Sequence, residues 1–230
     1  MLAAVVMAAG LGTRMRPLTE RWAKPVLPVD GEPVIAHLLR ELARAGCGDV
    51  TVVVGHLGDQ VRRVCGDGSR FGVRLGYAVQ AEPDGSAGAV AAAAAVPPYL
   101  VLGADTVFAP GDVARFGRVF AEAGIAGALA LRPLDTAAPA RNGVRAAGDL
   151  VELLRSPDPT HVGAPLWGVG PELASRVVEL GGEPPYELAA AFQAAIDAGT
   201  RIAGIAIGPT RDLTTPADLL VESFPYLRDL

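Results

Sequence analysis

A chain of 230 residues, half of them apolar and with a mean hydropathy of +0.33, is long enough to bury one large α/β core or two small ones. Its formal charge of −5 argues against general binding to nucleic acid or to an acidic membrane surface, so any polyanion it holds must be met by a few clustered cations or by a divalent metal. Cys47 and Cys65 are too few for a disulfide framework and match no zinc spacing, and no leader or membrane-length apolar run is present, so the expectation is a cytoplasmic protein.

In chain order, Leu2 to Met7 is a short apolar run ending in glycines and reads as a buried parallel strand. After an Asp30-Gly31 turn, Pro33 opens a helix to about Ala45, stopped by Gly46. Val50 to Val54 is a β-branched strand, Gly58 to about Cys65 a helix, and Val73 to Val79 a third strand. Ser86 to Ala95 is a small-sided helix built for close packing, and Tyr99 to Leu102 is a fourth strand ending at Gly103-Ala104-Asp105-Thr106. This alternation predicts an α/β fold with a mainly parallel central sheet on right-handed crossovers, its ligands lying beyond the carboxyl ends of the strands.

The second half is less regular. Val113 to Ala123 reads as a helix, Ala126 to Leu131 as a strand, and 135–140 as a Pro/Ala loop. Val144, Val151 to Leu154 and Pro165 to Val169 read as short strands of mixed direction. Helices are expected over Pro171 to Leu180 and Glu187 to Ala198, a strand over Arg201 to Ile207, and a closing helix from Thr215-Pro216. No composition shift marks a linker and no repeat is found, so a single domain over 1–230 is expected.

The chemistry concentrates after the first strand. Ala8, Ala9, Gly10, Leu11 and Gly12 form a loop with little side-chain bulk, and such a loop leaves backbone N–H groups that make a concave anion site. Thr13, Arg14 and Arg16 add a hydroxyl and two cations. The pattern is neither a Walker A loop nor G-x-G-x-x-G. Lys24 strengthens it, because it is the only lysine in the chain and every other basic residue apart from histidine is arginine. A lone lysine among arginines points to a need for a compact ammonium.

Gly10-Leu-Gly-Thr-Arg-Met-Arg-Pro-Leu-Thr19 with Lys24-Pro25 resembles the signature G-x-G-T-R-x-x-P-x-T-x-x-x-P-K-P of the sugar-phosphate nucleotidylyltransferases, missing one proline, here Ala23. The resemblance implies a three-layer Rossmann-like domain that transfers a nucleoside monophosphate from an NTP to a sugar-1-phosphate with Mg²⁺. It implies that Ala9, Gly10, Leu11, Gly12 and Thr13 hold phosphates and that Arg14 and Lys24 are catalytic. It further implies that Asp105, ending an apolar strand, and Asp212, in Arg211-Asp-Leu-Thr-Thr-Pro-Ala-Asp218, bind the metal. Read alone, Asp105 at that edge of a parallel sheet suits Mg²⁺ beside phosphates, with a turn residue as the alternative; Thr214 or Thr215 reads as an N-cap with Asp218 completing a capping box, which leaves Asp212 free.

Gln80-Ala-Glu-Pro-Asp-Gly-Ser86 is similar to the family's base-binding stretch, which gives Gln80, Gly85 and Ser86 to the nucleotide; a polar strand end with a Pro-Asp-Gly turn is the alternative. Asn142 and Gly143 fall where the family meets a sugar hydroxyl, although Asn-Gly is also the commonest hairpin signal. Glu187 resembles an acidic residue near the sugar, yet a helix start favours it through the dipole alone. Where the family often has a lysine for the sugar phosphate, this chain has Ser156 beside Arg155, so Arg155 is the candidate clamp. That departure leaves open a cytidylyltransferase acting on a non-sugar phosphate or phosphonate; a silent nucleotide-binding regulatory module is the non-enzymatic alternative. Trp22 and Trp167 are assigned to packing, and His37, His56 and His161 receive no role.

Overall fold

The computed structural model describes residues 2–134, 142–179 and 183–224, so the loop expected over 135–140 and the last residue of the helix expected to end at Leu180 lie outside the described residues. Its strands are β1 (Ala3–Ala8), β2 (Asp49–Val54), β3 (Arg74–Val79), β4 (Tyr99–Gly103), β5 (Gly127–Pro133), β6 (Gly143–Ala147), β7 (Leu150–Leu154), β8 (His161–Val169) and β9 (Ile202–Ala206). They form one nine-stranded sheet in the order β3-β2-β1-β4-β8-β5-β9-β7-β6. β1 lies between β2 and β4 and parallel to both, with Val6 opposite Val52 on one side and Leu102 on the other. Strands covered on both faces need apolar side chains in both directions, which is why AAVVMA, DVTVVV and YLVLG read as continuous apolar runs.

The helices are α1 (Val34–Arg44), α2 (Gly58–Cys65), α3 (Ser86–Ala93), α4 (Asp112–Ala123), α5 (Pro171–Val178), α6 (Leu188–Asp197) and α7 (Pro216–Ser223). They divide between the faces of the sheet, and the alternation of β1 shows how. Ala4, Val6 and Ala8 face a core shared with Leu38 and Leu42 of α1, Val61 of α2 and Phe116 of α4. Val5 and Ala9 face a second core with Ala87 and Val90 of α3, Leu173 of α5 and Phe192 of α6. The result is an α/β fold, as the alternation predicts, in the three-layer arrangement that the resemblance implies, with a sheet of mixed direction. Cys47 and Cys65 are free and buried in the first core, and burial pushes both thiols up to about 11. No helix among the described residues is long and apolar enough to cross a membrane.

Three details differ from the sequence expectation. The strand expected from Pro165 begins at His161 and inserts antiparallel between β4 and β5. Its pairing with β5 shifts register between Gly163 and Trp167, which accommodates a proline that cannot donate to the ladder. The tight hairpin in this region is not at Asn142-Gly143 but at Gly148, φ 58°, between β6 and β7. Two short ribbons also carried no clear pattern: Pro28–Val29 with Glu32–Pro33, and Thr106–Val107 with Arg211–Asp212. The second brings the chain's last third back beside β4. There Arg211 donates to Asp30 at 2.6 and 3.0 Å and to Glu222 at 2.5 Å, tying the turn at Asp30 to α7. α7 starts with the capping box of Thr215 and Asp218, as its sequence suggests.

Candidate active site

β1 stops at Ala8, and the chain turns through Gly12 in the left-handed region, φ 62°. A Cβ there would lie 2.8 Å from the Thr19 methyl, so glycine is required by both conformation and space. Thr19 donates its hydroxyl to the Gly12 carbonyl at 2.9 Å and fixes the loop from behind. A single 3₁₀ turn, Thr13–Met15, follows; Met15 is fully buried and anchors it, while Thr13 and Arg14 stay exposed. After another at Leu18–Glu20, a third 3₁₀ turn begins at Lys24, whose side chain is only 12% exposed and whose ammonium forms an ion pair with Asp105 just beyond β4.

These pieces enclose a cavity of about 220 Å³ at the carboxyl end of β1 and β4. Gly10, Gly12, Thr13, Arg14, Lys24 and Asp105, all singled out in the sequence, line it together. Ala9 is not in the lining: it is 5% exposed and packs into the core. Leu11 is not in the lining either, and is 40% exposed. Thr214 lines the cavity and was not singled out for it. The Leu213 N–H donates to the Asp105 carbonyl at 3.1 Å, and Asp218 holds the Thr214 N–H at 2.8 Å, which brings Thr214 to the wall. The two-threonine run carries the signal, because only one of the two residues can be the N-cap.

Asp212 stands opposite Thr106 in the short ribbon, next in sequence to Asp105. Its carboxylate accepts from Thr106 at 2.7 Å, from Thr210 at 2.8 Å and from Arg132 at 3.4 Å, and it is not part of the cavity lining. Among the described residues no group of three or more His, Cys, Asp or Glu side chains converges. One cleft carboxylate, Asp105, with a hydroxyl and carbonyls nearby, fits a hard divalent cation that takes most of its oxygens from phosphates and water, and does not fit an all-protein cage.

The Gln80 amide donates to Asp84 at 2.5 Å and to the Gly85 carbonyl at 2.9 Å, so it holds its own turn. At Gly85, φ 117°, a Cβ would meet the Tyr186 backbone at 2.3 Å. The close approach that calls for glycine is therefore made by the protein's own chain. Ser86 donates to Glu187 at 2.8 Å and accepts the Leu188 N–H at 2.8 Å.

Asn142, Arg155, Glu187 and Ser86 share a second cavity, of about 210 Å³, walled by Leu129, Val144, Leu154 and Trp167. Met7 lines both cavities. Three of the four residues expected at the acceptor thus come together. The fourth, Gly143, lies behind the wall: its carbonyl accepts the Ser156 N–H at 2.9 Å, and a Cβ would meet Pro159 at 2.9 Å. Ser156 is buried, with its hydroxyl on the Asp158 N–H at 3.2 Å, whereas Arg155, φ 53°, is exposed and, among the described residues lining the cavity, is the only lysine or arginine. Of the two tryptophans assigned to packing, Trp167 does pack and Trp22 does not. Trp167 packs edge-to-face on Phe192 at 4.7 Å and also walls the second cavity. Trp22 is 54% exposed and not a core residue.

The sequence profile of the family described as "Nucleotidyl transferase" matches residues 3–154. The glucose-1-phosphate thymidylyltransferase of Streptomyces antibioticus is 32% identical over 243 aligned positions, covering 99% of this chain and 67% of that protein. That of Streptomyces griseus is 44% identical over 84 positions, 36% of this chain and 24% of the relative. The CMP-5′-(3-aminopropyl)phosphonate synthase of Streptomyces rubellomurinus is 36% identical over 136 positions, 57% and 21% of the two chains. These alignments therefore span between about a fifth and two thirds of their relatives' length. Among solved structures, one described as a glucose-1-phosphate thymidylyltransferase from Bacillus anthracis, in complex with a sucrose, superposes with a TM-score of 0.86 at 21% identity, covering 100% of this chain and 96% of the other. A UDP-glucose pyrophosphorylase complexed with UDP-glucose gives 0.81 at 17%, with 100% of both chains covered; at these identities the likeness speaks for the fold. Profile, relatives and cleft agree, and the chain belongs to the nucleotidyl transferase family.

Proposed function

We propose that this chain is a single-domain nucleotidyltransferase that takes an NTP and a sugar-1-phosphate and releases an NDP-sugar and pyrophosphate. The observation that carries the reading is the meeting of the only lysine with Asp105 under the Gly10–Arg14 loop. An acceptor phosphate oxygen bonds to the α-phosphorus, the bond from that phosphorus to the bridging oxygen of the β-phosphate breaks, and the electron pair leaves with pyrophosphate. No protein nucleophile is needed, so the work is positioning and charge stabilisation. The Gly10–Thr13 backbone and Arg14 would hold the leaving phosphates. Lys24 would move from Asp105 to the oxygens between acceptor and α-phosphate, where negative charge builds.

Enzymes of this family generally use a divalent metal; here Mg²⁺ would sit on Asp105 and supply charge neutralisation to the triphosphate. Asp212 serves as the second ligand only by adding the metal to an oxygen already held by Thr106, Thr210 or Arg132. Gln80, Gly85 and Ser86 would face the base once the Gln80 amide leaves its own turn. Arg155, Asn142 and Glu187 would receive the acceptor. We place the enzyme in the cytoplasm, where Cys47 and Cys65 remain free thiols.

A second reading keeps the site and changes the acceptor to a non-sugar phosphate or phosphonate with CTP as donor. What favours it is that Ser156 is turned into the protein, leaving the acceptor cavity to Arg155 without a lysine. The test is pyrophosphate release with Mg²⁺, crossing ATP, GTP, CTP, UTP and dTTP with sugar-1-phosphates and with aminoalkyl phosphates and phosphonates. A productive sugar-1-phosphate pair supports the first reading and a productive phosphonate pair the second. Nucleotide binding without turnover on any pair would replace both with a regulatory module.

A further inference from the structure

Gln60, on α2, grips the short turn that delivers Lys24. Its Oε1 accepts the Ala23 N–H at 2.8 Å, and its Nε2 donates to the Arg21 carbonyl at 2.8 Å. Just upstream, Nε2 of His56 meets the Thr19 carbonyl at 2.9 Å, and Thr19 in turn holds Gly12. The stretch 56–60 therefore holds three backbone groups of 19–23, and the next residue is Lys24.

Ala23 is 2% exposed, so without Gln60 its N–H would be a buried donor with no water to turn to. Its backbone sits at φ −60° and ψ 133°, and that φ is the one a proline ring imposes. Position 23 is also the one place where the chain departs from the proline-containing signature that the stretch resembles. A proline there has a fixed φ and no N–H. This chain has instead a free φ and an N–H, and Gln60 takes up both.

We infer that Gln60 is a positioning residue for Lys24, supplying through hydrogen bonds the constraint that a proline at 23 would supply through its ring. The inference rests on the reading of Lys24 as the group that meets the phosphates. Small displacements of such a group are costly, because transition-state contacts depend on sub-ångström placement. Loss of Gln60 frees residue 23 and lets the ammonium swing, while the Gly10–Arg14 loop that binds the triphosphate keeps its Thr19 anchor.

The experiment compares the parent with Gln60→Ala, with the double variant Gln60→Ala/Ala23→Pro, and with Lys24→Ala, all assayed below their melting temperatures. One readout is kcat and KM for pyrophosphate release. The other needs no turnover: the rate at which acetic anhydride acylates the chain's only lysine, followed by the mass of the peptide containing residue 24. Gln60→Ala is expected to raise the acylation rate about tenfold and lower kcat about tenfold, with the KM for NTP within about twofold. Adding Ala23→Pro removes the orphaned N–H and fixes φ, and is expected to bring both readouts back to within about threefold of the parent. Parent-like acylation in Gln60→Ala, or no recovery on adding the proline, overturns the inference. Normal turnover by Lys24→Ala would instead overturn the catalytic reading of Lys24, while the acylation rates would still decide whether Gln60 sets its position.

Discussion

Ser86 and Glu187, 101 positions apart in the chain, are joined by a 2.8 Å hydrogen bond in which the serine hydroxyl donates to the carboxylate. The same hydroxyl accepts the Leu188 N–H, the Ala87 N–H donates to the Tyr186 carbonyl, and the Tyr186 N–H donates to Asp84. The turn expected to face the base and the segment expected to face the acceptor are thus sewn into one unit. Ser86→Ala removes a donor from Glu187 and leaves the buried Leu188 without its acceptor. We expect a loss of about 1–2 kcal/mol in stability, read from denaturant midpoints, and a rise of about tenfold in acceptor KM. An unchanged acceptor KM would mean that Glu187 does not meet the acceptor.

Gly85→Ala tests the same seam from the backbone side. The added carbon would sit 2.3 Å from the Tyr186 carbonyl oxygen at a φ of 117°. Neither the backbone contact nor the dihedral can be relieved by a rotamer change. A destabilisation of about 2–4 kcal/mol is expected from thermal or urea unfolding. A variant as stable as the parent would show that the two segments separate easily.

Lys24→Ala should lower kcat at least about a hundredfold with the fold intact, the scale of one transition-state charge contact. Lys24→Arg keeps the charge but replaces a compact ammonium with a planar fork beside Asp105, and should still lose at least about tenfold. Steady-state pyrophosphate release measures both. Near-parental turnover in the alanine variant would remove the centre of the proposed mechanism.

The Asp30–Arg211 tie gives a pH dependence with a definite sign. The hydrogen bonds from Arg211 hold the Asp30 carboxyl below its ordinary value of 3.8. The stabilisation is therefore fully present above the unfolded value and is lost as pH falls through the lowered folded one. The difference in melting temperature between parent and Asp30→Asn should stay constant from about pH 7 to about pH 5 and close below about pH 4. A difference that does not change with pH would show that the ion pair contributes nothing to the tie between the turn and α7.

Much of this was legible because the physics is local. β2 is a β-branched run, α2 carries its apolar positions on one face, and the bare Gly10–Gly12 loop follows a buried strand. Gly10, Arg14, Lys24 and Asp105 meet because each sits at or just beyond the end of a parallel strand, or in the loop that follows one. What was not legible depends on partners far along the chain. The antiparallel entry of β8 has no periodicity of its own, since Pro165 hides half of the strand. Gln60 is an ordinary helix residue until the 21–23 turn is laid against it. Gly85 reads as an opening for a ligand and is filled by Tyr186. Asp212 reads as free, and only the fold shows three donors around it.

The reversed strand β8 bears on how such an enzyme can change its taste over evolutionary time. Gly163, Ala164, Pro165 and Trp167 wall the cavity proposed for the acceptor from within a strand whose residues Ala164, Leu166 and Val169 are also core. Substitution along that strand disturbs one core or the other. Arg155, exposed in a turn after β7, carries no such double duty, whereas Glu187, ahead of α6, also accepts the Ser86 hydroxyl. With the acceptor in that cavity, as proposed, divergence toward new acceptors is therefore channelled into Arg155, while the strand beside it stays still.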